Sequence, residues 1–289
     1  MSTSQLPPVT RGMIAAPVVE QFLASSGMTI DELMLALIPE AQAEARPSIS
    51  NFLVGAVALG ASGSLYIGAN YEFVGQALSF TVHGEQAATV QAISGGESGI
   101  QKLAVSAAPC GYCRQFLYEL TTASTLQILL PKTLPVLLTS LLPNAFGPQD
   151  LGVTAALMSP QSHGMTLSSS PGDQIIEAAL AAANTSYAPY TFGYAGVALK
   201  TSDGSIFTGS VAENAAFNPS MSPLEAAVVS LVISGGKAYG DIVDAVLVEA
   251  VDSKASQSAA TRAVLKAITF VALRICHGHL PPRKEAQHS

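Results

Sequence analysis

Four residues in the first half of the chain combine side chains that bind a metal ion with one that can move protons. His83 and Glu85 form a His-x-Glu motif, and Cys110 and Cys113 form a Pro-Cys-x-x-Cys motif. A catalytic zinc ion takes three protein ligands and leaves a fourth position for water. We therefore expect His83, Cys110 and Cys113 to hold Zn²⁺, with Glu85 acting as the catalytic acid and base.

Each motif alone has other interpretations. A single histidine before a helix is most often structural, and a Cys-x-x-Cys pair is also typical of thioredoxin-like redox proteins. Glu85 could also serve as a fourth ligand, which would close the site. In this order and spacing, the two motifs together resemble the signature of zinc enzymes that activate water for attack on a nucleobase.

Two copies of one unit must position these residues. Gly55–Phe73 resembles Gly196–Asn214, and the stretches that end at Gly96 and Gly236 also match, with offsets of 140 to 141 residues. Each copy has an alternating strand, a Ser-Gly or Asp-Gly turn, a second strand, an Ala-rich helix and a further apolar strand. This order predicts duplicated three-layer α/β/α domains with mixed sheets.

The copies differ where the chemistry would occur. At the offset of 140, His83 aligns with Pro223 and Glu85 aligns with Glu225, while the cysteines fall opposite Asp252–Ser256. The second copy is therefore predicted to keep the fold, to lack the zinc ligands and to serve as a structural or interface domain.

The predicted domain boundaries follow from the repeat. We expect an N-terminal helical segment at 1–45, a catalytic zinc domain at 46–150, a linker at 151–172 and a degenerate domain at 173–289. Within the first segment, Val18–Glu44 predicts one or two amphipathic helices, with Asp31 as an N-cap.

Composition limits the partners of the protein. Hydrophobic residues make up 49% and charged residues 11% of the 289 residues, a balance that favours an oligomer. Thirteen basic residues face 20 acidic ones, for a net charge of -7, so binding to a long nucleic acid is not expected.

The sequence also bears on location. The N-terminus has no apolar signal region, and the most apolar stretch, Leu126–Leu142, is interrupted by two prolines and a lysine. We therefore expect no membrane span. The odd count of three cysteines favours metal chemistry in a reducing compartment, and hence a cytoplasmic protein.

Several motifs beyond the zinc ligands give the chain a family resemblance. It resembles the two-domain, homodimeric class of cytidine deaminases over nearly its whole length, through the zinc motifs and the four segments "ISNFLVGAVA", "GANYEF", "LLPNAFGPQDL" and "AAANTSYAPY". The resemblance implies zinc-dependent hydrolytic deamination of free cytidine and deoxycytidine to uridine and deoxyuridine, with release of ammonia, in pyrimidine salvage.

The resemblance also implies substrate contacts. Asn70 and Glu72 would bind the ribose hydroxyls, and Phe52 would stack on the pyrimidine. Phe146 would approach the base from the partner subunit of a homodimer, and the carbonyl of Ala108 would accept a hydrogen bond from the base amino group.

Two alternatives remain open from the sequence. The substrate could be another nucleoside or a polynucleotide base, because the zinc motifs do not separate these. The acidic balance and the Asn-Tyr-Glu segment favour a free nucleoside. The other alternative is a non-catalytic zinc or redox protein, which metal content would distinguish from an enzyme.

Overall fold

Two β-sheets and nine helices form the part of the chain that the computed structural model describes, residues 5–168 and 172–282. The strands are β1 Met13–Ile14, β2 Gly55–Gly60, β3 Leu65–Ala69, β4 Ile100–Val105, β5 Gln127–Leu129, β6 Val136–Leu137, β7 Thr166–Leu167, β8 Ala195–Thr201, β9 Ile206–Ser210, β10 Ile242–Ala250 and β11 Leu273–His279. The helices are α1 Ala16–Ser26, α2 Ile30–Ala36, α3 Ile38–Ala43, α4 Gly84–Ser94, α5 Gly111–Leu117, α6 Leu138–Leu141, α7 Gln174–Asn184, α8 Pro223–Val229 and α9 Ser258–Ile268.

Both sheets are mixed and share a four-stranded core, β3-β2-β4-β5 in the first copy and β9-β8-β10-β11 in the second. The strand order is β1-β3-β2-β4-β5-β6 in the first sheet and β7-β11-β10-β8-β9 in the second. The one parallel pairing in each is β4 with β5 and β10 with β11. The predicted duplication of α/β domains with mixed sheets is confirmed.

Glycines allow a helix to lie close against each face of the first sheet. A Cβ on Gly55 would lie 2.7 Å from the backbone of α3, and one on Gly68 would lie 2.1 Å from the Ala88 nitrogen of α4. Gly55 and Ala56 point to opposite faces of β2, and Gly68 pairs with Ala56. The sheet is therefore covered on both faces, which explains why its central strands are apolar without alternation.

The second copy repeats these contacts and corrects the predicted alignment. A Cβ on Gly209 would lie 2.1 Å from the Ala227 nitrogen and 2.4 Å from the Pro223 carbonyl, as one on Gly68 would from Ala88 and Gly84. The offset at the start of this helix is thus 139 residues (223 minus 84), not 140.

The corrected offset changes which residues correspond at the start of the helix. His83 corresponds to Ser222, because these residues are the N-caps of α4 and α8. Glu85 therefore corresponds to Leu224, and Glu225 corresponds to Gln86. Gln86 and Glu225 have the same structural role, since the side chain of each accepts a hydrogen bond from the backbone N–H of its N-cap residue.

A π-helical turn explains why the sequence comparison misaligned the copies. Helix α8 continues into a π-helix at Ser230–Ser234, whose wider turn takes up one extra residue. The offset therefore rises to 140 by the helix C-caps, Gly95 and Gly235. Aligning the two copies at the Gly-Gly pairs that end these helices applied the offset of 140 to the helix start as well, where the offset is 139.

The N-terminal segment contains three helices instead of the predicted one or two. Helix α1 ends at Gly27, which has a φ of 72°, and α2 begins with a capping box between Thr29 and Glu32. The predicted N-cap, Asp31, instead forms an ion pair with Lys102 of β4, with 2.5 Å between Nζ and Oδ1.

The two copies share one continuous apolar core. Buried residues of both sheets and of α4 and α8 belong to a single cluster. Across this seam, the Gln91 side chain donates to the Val229 carbonyl and accepts from the Ser234 hydroxyl. The predicted domain boundaries stay a prediction. Strand β1, from the segment predicted to be helical, pairs with the first sheet, and β7, from the predicted linker, pairs with the second.

Within the described residues, no single helix has the length and apolar character to cross a membrane. The segments Ala16–Ser26 and Ile30–Ala43 meet that criterion only when joined, and they are bent by 105° with respect to each other.

Candidate active site

Three side chains that can bind a metal meet at the N-terminal ends of two helices. His83 is the N-cap of α4, Cys110 is the N-cap of α5, and Cys113 lies in the first turn of α5. Their ligand atoms all lie within 4.8 Å of one another. The His83 Nδ1 is 3.6 Å from the Cys110 sulfur and 3.2 Å from the Cys113 sulfur.

This donor set fits zinc. Tetrahedral Zn–N and Zn–S bonds of ordinary length place nitrogen and sulfur ligands about 3.6 Å apart. The His83–Cys110 distance of 3.6 Å equals that value, and the His83–Cys113 distance of 3.2 Å is slightly shorter. One imidazole and two thiols leave one tetrahedral position for water or substrate. The sequence prediction that these three residues come together is confirmed.

The two thiols differ in acidity. A hydrogen bond from Cys113 lowers the pKa of Cys110 to about 5, against the opposing effect of burial, and the N–H groups of Cys113 and Tyr112 add to the lowering. Bonding to Cys110 and burial raise the pKa of Cys113. The start of α5 therefore already stabilises one thiolate, the form that binds a metal.

Glu85 lies one residue inside α4 and is 4% exposed. Burial raises the pKa of its carboxyl, while its own backbone N–H, His83 and Cys113 act in the opposite direction. A carboxyl group that is held near the metal ligands and shielded from water is suited to accept and return a proton.

Tyr112 is a site residue that the sequence interpretation missed. Its ring stacks on that of His83, with 5.4 Å between the centroids and 24° between the planes. Burial raises its pKa to about 12, so the ring stays neutral beside the ligand. Its position between the two cysteines was the available signal.

Asn70 and Glu72, which follow β3, are both engaged in hydrogen bonds within the protein. The Asn70 side chain accepts from the Val54 N–H and donates to the Phe52 carbonyl, at 2.9 and 3.0 Å. The Glu72 carboxylate accepts from the Ser50 hydroxyl and from the N–H groups of Ile49 and Ser50. Burial would raise the pKa of Glu72, but these bonds lower it.

The comparisons with known proteins agree with this site. The profile described as the cytidine and deoxycytidylate deaminase zinc-binding region matches residues 28–128 and, in a second form, residues 138–262. A cytidine deaminase of Photobacterium profundum is 48% identical over 252 residues, which cover 86% of this chain and 84% of that protein. One of Aeromonas hydrophila is 51% identical over 251 residues, with the same coverage.

The chain belongs to the cytidine deaminase family. Among solved structures, that of a cytidine deaminase from Mycobacterium tuberculosis is 33% identical and covers 42% of this chain and 99% of its own, with a TM-score of 0.38. The family resemblance seen in the sequence is confirmed by the curated relatives.

The remaining residues that the family resemblance indicated lie outside the helices and strands. Phe52 is 59% exposed and follows Asn51, which has a φ of 57°. Ala108 is exposed in the turn between β4 and α5. Phe146, in the segment after α6, is 46% exposed, and its carbonyl accepts from Gln115 of α5.

The second copy has the deaminase-family scaffold without the metal ligands. Ser222 replaces His83, and Gln257, the N-cap of α9, occupies the place of Cys110, with Ala260 in that of Cys113. The predicted counterpart, Asp252–Ser256, instead lies in the loop that precedes α9. In the described part of the chain, the group of side chains placed to hold a metal is that of the first copy.

One cleft joins the metal site to the corresponding region of the second copy. Its volume is about 860 Å³, and it is lined by His83, Tyr112, Glu213, Phe217 and Glu225, among others. Glu213 corresponds to Glu72 and accepts in the same way from the N–H groups and hydroxyl of the loop that it faces. The carboxylate-to-loop contact is therefore part of the scaffold of both copies.

Proposed function

We propose that this protein is a zinc-dependent hydrolase that converts cytidine and deoxycytidine to uridine and deoxyuridine, with release of ammonia. The observation that carries the proposal is the meeting of His83, Cys110 and Cys113 beside the buried carboxyl of Glu85. The family membership and the acidic balance of the chain support a free nucleoside as the substrate.

The metal would be held by His83, Cys110 and Cys113. When bound, zinc would lower the pKa of a water molecule toward neutrality and so supply the nucleophile. Tyr112 would keep the His83 ring in the orientation that directs Nδ1 at the ion. The N–H groups at the start of α5 would stabilise the Cys110 thiolate.

Glu85 would move the protons. Its carboxylate accepts a proton from the attacking water and delivers it to N3 of cytosine, which makes C4 more electrophilic. Oxygen adds at C4, and a second proton from the water reaches the amino group by way of Glu85. The C–N bond then breaks, and ammonia leaves as the C4 carbonyl forms, so that one water is consumed for each ammonia released.

The loop residues would bind the nucleoside. The exposed Phe52 ring would stack on the pyrimidine, and the Ala108 carbonyl would accept from the amino group that leaves. Asn70 and Glu72 would contact the ribose hydroxyls with the hydrogen-bonding capacity that their internal contacts leave. A free 3′ hydroxyl at this place favours a nucleoside over a polynucleotide, whose 3′ oxygen is esterified.

Substrate class can be measured directly. Zinc-loaded protein is incubated with cytidine, deoxycytidine, deoxycytidylate and a single-stranded oligonucleotide, and ammonia release and pyrimidine absorbance are followed together. We expect turnover of the two nucleosides and little turnover of the others. Faster reaction with the nucleotide or the oligonucleotide would contradict the proposed substrate.

We further propose a homodimer with composite active sites. Large apolar side chains are exposed, including Leu78 and Phe217, which line the cleft and are 72% and 60% exposed, and Phe52 and Phe146 at 59% and 46%. Such a patch on a chain with few charges favours burial against a second copy. Phe146 would then contact the base bound by the partner.

Mixed dimers distinguish a composite site from two independent ones. Glu85→Ala and Phe146→Ala proteins are each purified, unfolded, mixed in equal amounts and refolded with zinc. If Phe146 acts across the interface, each mixed dimer has one intact site, so that about a quarter of all sites regain activity. No gain over the separately refolded variants would contradict the composite site.

We also propose a cytoplasmic location, which the thiol ligands support. Cysteine thiolates bind zinc only while they stay reduced, and the cytoplasm keeps them so. All three cysteines are free in this structure.

A further inference from the structure

Helix α5, which carries Cys113, is too short to hold its own position. It spans seven residues, Gly111–Leu117, and isolated helices of fewer than about 12 residues are marginal in water. The position of the Cys113 sulfur therefore depends on the contacts that surrounding residues make with each end of this helix.

The N-terminal end of α5 is held by the first copy. The Arg114 side chain donates to the Pro109 and Leu141 carbonyls, at 2.8 and 2.9 Å. These contacts join the turn before Cys110 to the segment around α6. They leave the other end of the helix to be fixed by different residues.

That other end is held by the second copy through a buried carboxylate. Glu119, two residues after the helix, is 1% exposed. It accepts hydrogen bonds from the hydroxyls of Tyr187 and Tyr190 and from the N–H of Ala215, at 2.7 Å from Tyr187 and 3.0 Å from Ala215. All three donors belong to the second copy.

The neighbouring residue of the second copy adds a further contact. Asn214, which is fully buried, donates to the Gln115 carbonyl at 2.9 Å and accepts from the Gln115 side chain. Asn214 and Ala215 directly follow Glu213, the counterpart of Glu72. The segment after Glu213 in the second copy, whose counterpart follows Glu72 in the first copy, thus contacts the metal-binding helix α5 of the first copy.

We propose that Glu119 is a positioning residue through which the second copy fixes Cys113 and, with it, the bound metal. Six residues separate Cys113 from Glu119, or about 9 Å along a helix, so the contact acts through the helix and not on the metal. This inference rests on the proposed zinc site. It gives the degenerate copy a defined part in the reaction that its missing ligands do not suggest.

The chemistry of this cluster makes it sensitive to single substitutions. Burial and Glu119 raise the pKa of both tyrosines, so that both hydroxyls stay protonated and able to donate at neutral pH. Glu119→Gln replaces one acceptor oxygen by an amide that itself donates, although three donors converge there. Tyr190→Phe removes one donor and leaves two.

A matched control exists in the first copy. Glu97 is a buried carboxylate that accepts from the Tyr66 hydroxyl at 3.0 Å and from Ser62. It lies in the loop after α4, and its partners Ser62 and Tyr66 belong neither to α5 nor to the group of residues that bonds to Glu119. Tyr66→Phe therefore removes the same kind of bond from the same kind of group without touching that helix.

The test measures zinc release and not activity alone. Zinc-loaded wild type, Glu119→Gln, Tyr187→Phe, Tyr190→Phe and Tyr66→Phe are mixed with a chromogenic chelator well below their unfolding temperatures. Their Co²⁺ forms are compared by thiolate charge-transfer absorption, and kcat and KM are measured on cytidine. We expect Glu119→Gln to release zinc about tenfold faster than wild type, with altered cobalt absorption and a fall in kcat that exceeds any change in KM.

Tyr187→Phe and Tyr190→Phe should move in the same direction by smaller factors, and they carry the test if Glu119→Gln does not fold. Tyr66→Phe should lose stability without faster zinc release. Wild-type zinc release, cobalt absorption and kcat in all the Glu119-cluster variants would overturn the proposal, and so would equal effects from Tyr66→Phe. If wild type itself neither retains zinc nor deaminates cytidine, the proposed function fails as well, so the two failures are distinguishable.

Discussion

Gly68→Ala and Gly209→Ala form a matched pair that tests whether the position of α4 controls the chemistry. In each copy, the added Cβ would lie 2.1 Å from a backbone nitrogen and 2.4 Å from a backbone carbonyl oxygen of the helix above it. Ordinary contact begins near 3.4 Å, so the helix must move by about 1.3 Å. Backbone atoms cannot swing aside as a side chain would.

The structural cost should be similar in the two variants, about 1–3 kcal/mol of unfolding free energy each. The functional cost should differ, because α4 carries His83 and Glu85 whereas α8 carries Ser222 and Leu224 in their places. Displacing reacting groups by about 1 Å can cost about 100-fold in rate. We expect a loss of that order in kcat/KM for Gly68→Ala.

Gly209→Ala should stay within about threefold of wild type, since its helix holds no reacting group. Zinc content, urea unfolding and cytidine turnover are measured on both proteins. Near-normal turnover by a folded Gly68→Ala protein would refute the reasoning. Equal losses of activity in the two variants would do the same, because the damage would then follow stability alone.

Three further outcomes are expected. Burial raises the pKa of Glu225 from 4.5 to about 7, so this group should lower stability as pH rises from 4.5 to 7, by about 3 kcal/mol at most. Glu225→Gln, which copies Gln86 at the same place in the first copy, should reduce that slope in urea unfolding at pH 5 to 8, and an unchanged slope would argue against it. Cys110→Ser should lose stoichiometric zinc by elemental analysis, and full zinc retention would remove Cys110 from the ligand set. Asn70→Asp should lower the unfolding free energy by about 1–3 kcal/mol, because a carboxylate oxygen would then face the Phe52 carbonyl where the amide now donates. An unchanged urea unfolding midpoint would contradict the described bonds.

The sequence predicted most of what depends on local pattern. The alternating strands and Gly-containing turns predicted two strands joined by a turn in each copy, which are β2 and β3 in the first and β8 and β9 in the second. The ligand triad followed from side-chain chemistry and spacing, because few arrangements of His-x-Glu and Cys-x-x-Cys can surround one metal ion. The structure then shows that the ligand atoms of the three side chains lie close together.

What the sequence did not predict depends on contacts between distant segments. The π-helical turn at Ser230–Ser234 has no distinctive composition, so a sequence alignment placed Glu225 opposite Glu85 when it corresponds to Gln86. The Glu119 cluster joins residues 68 to 96 positions apart, and no local pattern indicates that pairing. The internal bonds of Asn70 were likewise invisible, since an Asn-Tyr-Glu segment does not show which backbone groups it faces.

The central claim is that Glu85 moves the protons at a zinc site formed by His83, Cys110 and Cys113. The most direct measurement compares zinc-loaded wild type with zinc-loaded Glu85→Ala by ammonia release and loss of cytidine absorbance, at verified metal content. The account predicts stoichiometric zinc in both proteins and a loss of several orders of magnitude in turnover for the variant. Near-normal turnover by Glu85→Ala would contradict the mechanism, and absence of turnover by zinc-loaded wild type would contradict the proposed reaction.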